Sequence, residues 1–93
     1  MSYEDYTAEI WSKPNCPYCT KAKLLFKNNN IPYKEYIMTE GLLTEGQTRV
    51  TREEVLTKTP TAKTFPQIYL YTGNTEIYIG GCSDFELWLT GNN

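Results

Sequence analysis

The spacing of apolar and polar positions changes several times along this chain, and each change marks an element. Ala8-Glu9-Ile10-Trp11-Ser12 is a short, largely apolar run of the kind a partly buried strand shows. Tyr18, Ala22, Leu25 and Phe26 then recur at helical spacing, and Asn28-Asn29-Asn30 ends the pattern. A second β-rich run, Tyr33 to Met38, follows Pro32, so strand, helix and strand in this order predict a right-handed parallel crossover. Thr39 to Thr48 holds Gly41 and Gly46 without sustained periodicity and predicts a loop longer than most connections. In the segment after it, Thr51 and Glu54 have the spacing of a capping box, and Val50 with Val55 that of the flanking hydrophobic staple. A short helix is therefore expected there, limited by Pro60.

Gln67 to Tyr71 and Glu76 to Ile79 are β-rich runs joined through Thr72-Gly73-Asn74, a spacing that predicts a β-hairpin. Gly80-Gly81 breaks the second run. Ser83 and Glu86 read as a second capping box, with Cys82 and Leu87 at the staple positions, opening a last helix through Trp88 and Leu89. The order βαβαββα predicts an α/β fold, a four-stranded mixed sheet with helices on both faces.

Ninety-three residues with 40% hydrophobic content suffice for one domain, expected over residues 1–93, and leave no room for a second core. The longest apolar runs are too short for a membrane span, and the acidic start Met1-Ser2-Tyr3-Glu4-Asp5 lacks the basic and apolar regions of a signal peptide. A cytoplasmic location is the expectation. Nine basic against eleven acidic residues give a net charge of −2, which argues against nucleic acid as a partner. The charge is unevenly placed, however: Trp11 to Lys34 holds no Asp or Glu but five lysines, at 13, 21, 23, 27 and 34. They form either a solvated face that aids solubility or a surface that attracts anionic partners.

Cysteine usage narrows the chemistry. There are three cysteines, Cys16 and Cys19 as Cys-Pro-Tyr-Cys and Cys82 far away, a poor framework for a disulfide-stapled domain. With no histidine and no second cysteine pair, the chain alone cannot close a four-ligand zinc site, so no metal residues are assigned. A Cys-x-x-Cys pair opening a helix directly after a strand points to redox chemistry. The first sulfur meets unpaired backbone N–H groups and the positive end of the helix dipole, which lowers its pKa below the free value of roughly 8.5. Cys16 is thus the expected nucleophile, with Lys13 adding to the effect, and Cys19, one turn further in, the expected resolving thiol. Pro17 suits the first helical turn, where its missing N–H costs nothing. Tyr18 either shields the sulfurs or is simply exposed.

Three blocks, Cys16-Pro17-Tyr18-Cys19, Thr64-Phe65-Pro66-Gln67-Ile68 and Gly80-Gly81-Cys82-Ser83-Asp84, resemble in sequence and order the signature of dithiol glutaredoxins. The resemblance covers about residues 8 to 90 and implies a thioredoxin-like fold. It also implies a glutathione-dependent oxidoreductase of cell redox homeostasis that passes electrons to glutathione-mixed and protein disulfides. No tightly bound cofactor is expected, glutathione being reductant and co-substrate. The glutathione sulfur would dock at Cys16, close to Tyr18, and its backbone would pair with the segment Thr64-Phe65 before Pro66, which should be cis. The γ-glutamyl carboxylate would meet the N-terminus of the last helix at Gly81, Cys82 and Ser83, with Asp84 receiving the ammonium. Lys13 and Lys63 would contact the glycine carboxylate.

The sequence departs from the usual family pattern at Phe65, where Val is commoner, at Ser83, where Asp is frequent, and in the long 39–48 connection. Cys82 reads as a packing residue rather than a third redox thiol. Implied partners are glutathione and disulfide-containing or glutathionylated proteins, such as a ribonucleotide reductase. No membrane partner is expected, and the protein is expected to act as a monomer. The alternative function is a glutathione-ligated [2Fe–2S] cluster held between two copies through their first cysteines, against which Pro17 argues. A thioredoxin-type reductase as the electron source would leave the thiol chemistry unchanged.

Overall fold

The computed structural model describes residues 3–91. Its elements in chain order are β1 (Tyr6–Ser12), α1 (Pro17–Asn28), β2 (Tyr33–Ile37), β3 (Gln47–Arg49), α2 (Arg52–Lys58), β4 (Gln67–Thr72), β5 (Thr75–Gly80) and α3 (Cys82–Gly91). The strands form one mixed sheet in the order β3-β2-β1-β4-β5. β1 runs parallel to β2, with Ala8 opposite Tyr33, and antiparallel to β4, with Ile10 opposite Ile68.

Residue alternation in the central strands divides the core in two. Ala8, Ile10, Ile68 and Leu70 face α1 and α3, where they pack with Ala22, Phe26, Phe85 and Leu89. Trp11 and Tyr69 point to the other face and pack with Val50 and with Val55 of α2. Helices thus cover both faces, as the element order implied. On α1 the buried stripe is Cys19, Ala22 and Phe26. Tyr18, which the helical spacing placed in that stripe, is 61% exposed, because Cys19 itself fills the core position.

The chain also turns where its sequence said it would. Asn30, at φ 57, takes the left-handed conformation that Asn tolerates and ends the turn after α1. The β4–β5 hairpin closes through Gly73-Asn74, with Gly73 at φ 58 in the first central position, where a type II′ turn needs glycine. Thr51 and Glu54 form the expected reciprocal capping box on α2.

Two expectations are corrected. The sheet has five strands, not four, because β3 emerges from the end of the long connection and pairs in parallel with β2. Gln47-Thr48-Arg49 has no apolar alternation to announce it, and polar contacts hold it in place. Gln47 Nε2 donates to Glu35 at 3.1 Å, and the Arg49 guanidinium donates to the carbonyls of Thr39 and Gly41 at 2.7 and 2.8 Å. The second correction is at α3, which starts at Cys82 rather than after Ser83. Gly81 is the residue that caps it: its carbonyl accepts from Phe85 N–H at 3.0 Å and its own N–H donates to Asp84 Oδ2 at 2.9 Å. Glu86, the expected capping partner of Ser83, instead pairs with Lys21 at 3.2 Å, and Leu87 is 71% exposed, so no staple with Cys82 forms. The cause is Gly80, whose φ of 109 turns the chain directly from β5 into the helix.

Candidate active site

β1 delivers the chain to the surface at Ser12, and Lys13-Pro14-Asn15 carries it into α1, with Asn15 at φ 56 making the turn. Cys16 is the N-cap residue of α1, its backbone extended at φ −117 and ψ 100, and its sulfur accepts a hydrogen bond from Cys19 N–H at 3.2 Å. Pro17 follows at the start of the helix, and the first turn carries no acidic residue to offset the positive helix end at the sulfur. Cys16 and Cys19 are joined as a disulfide, with Cα atoms 5.2 Å apart. Cys16 is 9% exposed and Cys19 2%, which makes Cys16 the outer sulfur.

The second block lies against the first. The Phe65–Pro66 bond is cis, and the Phe65 carbonyl oxygen lies 3.8 Å from the Cys16 sulfur. The Lys13 ammonium stands 5.8 Å from the centre of the Phe65 ring. Lys63 and Thr64 are exposed just before it, and Pro66 is buried. The third block closes on the second: a Cβ on Gly81 would stand 3.7 Å from the Pro66 carbonyl oxygen. Ser83 is exposed at the start of α3, and the Asp84 carboxylate is already engaged by Gly81 N–H. Cys82 turns into the core beside Phe85, and burial pushes its thiol pKa up, with the Glu86 charge adding to this and Lys21 opposing it. Tyr18 points to solvent beside the pair.

Some residues of the site were not picked out from the sequence. Gln67, buried at the start of β4, donates from Nε2 to the Thr64 carbonyl at 2.9 Å and accepts from Tyr78 O–H at 2.6 Å, which fixes the backbone beside Cys16. An open cleft of about 560 Å³ is lined by Cys16 and Cys19 together with Lys13, Asn15, Lys23 and Glu35. Glu35 is buried and accepts from Ser12 Oγ at 2.6 Å, from Gln47 and from the Lys23 ammonium. The available signal was an acidic residue at an inward position of β2, between Tyr33 and Ile37. Among the described residues, no group of three or more acidic or cysteine side chains is placed to hold a metal ion, and no helix is long and apolar enough to cross a membrane.

A strand feeding a Cys-x-x-Cys pair into a helix N-terminus, faced by the backbone before a cis-proline, defines a thioredoxin-fold dithiol oxidoreductase. The glutaredoxin family model matches residues 8–74. The chain is 34% identical over 88 residues to glutaredoxin 1 of Salmonella typhimurium, covering 89% of this chain and 90% of that one. In fold it is similar to crystal structures of glutaredoxin 1 from Francisella tularensis and of a buckwheat glutaredoxin in complex with glutathione. The first has a TM-score of 0.66 at 22% identity, over 94% of this chain and 95% of that one. The second has a TM-score of 0.60 at 23% identity, over 92% and 71%. The chain belongs to the glutaredoxin family and is a thiol–disulfide oxidoreductase.

Proposed function

We propose that the protein reduces glutathione-mixed and protein disulfides with glutathione as its electron source. The observation that carries this reading is the placement of the Cys16 sulfur, at a helix N-terminus whose first turn holds no acidic residue and 3.8 Å from the Phe65 carbonyl. An extended tripeptide thiol laid along the Thr64-Phe65 backbone has its sulfur at Cys16, Lys13 and Lys63 near one carboxylate, and the N-terminus of α3 near the other. The buckwheat relative binds glutathione on the same fold, which supports the choice of thiol.

In the proposed cycle the Cys16 thiolate attacks the glutathione sulfur of a mixed disulfide. A bond forms between the two sulfurs, the protein sulfur leaves with the electron pair and takes a proton from solvent, and Cys16 is left glutathionylated. A second glutathione thiolate then attacks that glutathione sulfur, releasing glutathione disulfide and restoring the Cys16 thiolate. On a protein disulfide, Cys19 displaces the substrate thiol from Cys16 and closes the Cys16–Cys19 disulfide, which two glutathione molecules reopen.

A coupled assay with one electron donor at a time tests this. Glutathione with glutathione reductase should sustain turnover of a glutathionylated protein, and thioredoxin reductase alone should not. Turnover sustained only by thioredoxin reductase would replace glutathione with that donor.

A further inference from the structure

The cleft lined by the two sulfurs has a charged wall that attack by Cys16 does not use. Glu35 faces inward from β2 and is only 5% exposed, a place where an unpaired carboxylate costs several kcal/mol. Three residues satisfy it: Ser12 Oγ at 2.6 Å, Gln47 Nε2 at 3.1 Å, and the Lys23 ammonium, which reaches its two oxygens at 3.3 and 3.1 Å. An apolar side chain, as at Ile37 two residues on, would fill this position without that cost. The pair therefore points to a use for the cation it holds.

Lys23 stands on α1 four residues after Cys19, hence one turn beyond it on the same stripe. Helical side chains lean toward the helix N-terminus, so Lys23 leans back over the turn that carries Cys19. Both line the same cleft. The charged groups facing that cleft are Lys13 from the β1–α1 segment, Lys23 from α1 and Glu35 from β2. Lys13 lies by the Phe65 ring on the Cys16 side, which leaves Lys23 as the cation on the side of Cys19. Cys19 is the sulfur in need of one. It is more buried than Cys16, and its own N–H serves the Cys16 sulfur.

We propose that Lys23, held in place by Glu35, stabilises the Cys19 thiolate when that sulfur resolves a mixed disulfide on Cys16. The inference rests on the dithiol cycle described above. In the step it serves, Cys19 gives its proton to solvent and its sulfur bonds to the Cys16 sulfur. The bond from Cys16 to the substrate breaks, and the substrate sulfur leaves with the electron pair and is protonated by solvent. The cysteine pair is oxidised by two electrons and the substrate reduced by two. Lys23 and Glu35 also line a second open groove of about 530 Å³ beside α1, so solvent reaches the pair.

A Cys16→Ser, Cys82→Ser background leaves Cys19 as the only thiol, and its thiolate absorbance against pH reads the effect without any substrate. Lys23→Gln should raise the Cys19 midpoint by about half a pH unit, the order expected for losing one partly solvated charge at the cleft wall, and Lys23→Arg should restore it. With all thiols present, Lys23→Gln should slow single-turnover reduction of a protein disulfide several-fold. The glutathione-resolved turnover of a Cys19→Ser protein should be slowed less by the same change. If Lys23→Gln does not fold, Lys23→Gln with Glu35→Gln leaves no buried charge unpaired, and its Cys19 midpoint should lie above that of Glu35→Gln alone, the comparison that isolates the Lys23 charge. A Cys19 midpoint that stays put when the Lys23 charge is removed overturns the inference, as does a failure of Arg to restore it. Failure of the glutathione cycle itself would show as a wild-type protein without turnover, with the titration unaffected.

Discussion

A cysteine serving as a helix N-cap gains a backbone donor and the positive helix end together, and Cys16 has both, with the Cys19 N–H at 3.2 Å. The three thiols of the reduced protein should therefore differ in reactivity by position. Brief treatment with iodoacetamide at neutral pH should label Cys16 first, and Cys82, buried with its pKa pushed up by burial, only after unfolding. Mass mapping reads the order, and early labelling of Cys82 would contradict its placement in the core. Glu35 carries a pH dependence of its own. Burial pushes its carboxyl up, but hydrogen bonds from Ser12, Gln47 and Lys23, with the Lys23 charge, outweigh that and hold it below the ordinary value of 4.5. A carboxyl with a lowered pKa in the folded state contributes stability that is present above its unfolded pKa and lost as pH falls through the folded one. Glu35→Gln should thus be less stable than the native protein at pH 7, by about 1 to 3 kcal/mol, with a smaller gap at an acid pH where the carboxyl is protonated. Urea midpoints at the two pH values measure it, and a gap unchanged in acid would mean the carboxylate is not what stabilises this corner.

The helix termini show how the elements serve the site. α1 places its N-terminus at the sulfur because β1 ends at Ser12 and Asn15 can take the left-handed turn. α3 places its N-terminus beside Pro66 because Gly80 turns at once and Asp84 reaches back to the Gly81 N–H. A Cβ at Gly80 would stand 2.5 Å from Asp84 Oδ2, so the two residues are fitted to each other. Asp84→Ala should lower stability by about 1 kcal/mol, the usual worth of a side-chain cap, which is a few degrees in Tm for a domain of this size. Phe85 and Leu89 keep α3 packed on the sheet, so the helix should persist while its first turn loosens. If that turn holds a substrate carboxylate, KM for a glutathionylated substrate should rise more than kcat falls. Asp84→Asn, which keeps an acceptor at the same place, should lie between the two. An Asp84→Ala protein with unchanged Tm would leave the cap without the role its geometry gives it.

Across the whole molecule, the features written into the sequence are those that local chemistry decides. The Cys16–Cys19 pair, the capping box on α2, the Gly73 hairpin and the strand runs of β1 and β4 each depend on neighbours a few positions away. β3 depends on a partner strand: Gln47-Thr48-Arg49 buries little and pairs only because β2 offers a free edge. Glu35 with Lys23 and Gln67 with Tyr78 meet only after the crossover and the hairpin have formed, and no single segment carries either contact. α3 starts before the position that the Ser83–Glu86 spacing implies, because the backbone turn at Gly80 makes Gly81 the cap, with Asp84 reaching back to its N–H. The same division between local and assembled parts predicts a gradient of stability through the sheet. β1 lies between β2 and β4, and Ile10, Ile68 and Leu70 are fully buried between the sheet and the helices α1 and α3. Their amides cannot reach water without opening the core. β3 is three residues long, lies at an edge, and follows exposed residues 40–46. Native-state hydrogen exchange should then show the amides of Ile10, Ile68 and Leu70 exchanging only through global unfolding, with a denaturant dependence equal to that of the whole domain. The amides of Gln47, Thr48 and Arg49 should exchange through local opening that denaturant barely affects. Glu35 lies at the boundary, with Ser12 of β1 on one side and Gln47 of β3 on the other. Opening of β3 would remove one of its donors while Ser12 and Lys23 remain. If β3 exchanged as slowly as β1, the strand would belong to the cooperative core, and its polar sequence would have to be stabilised by more than the contacts described above.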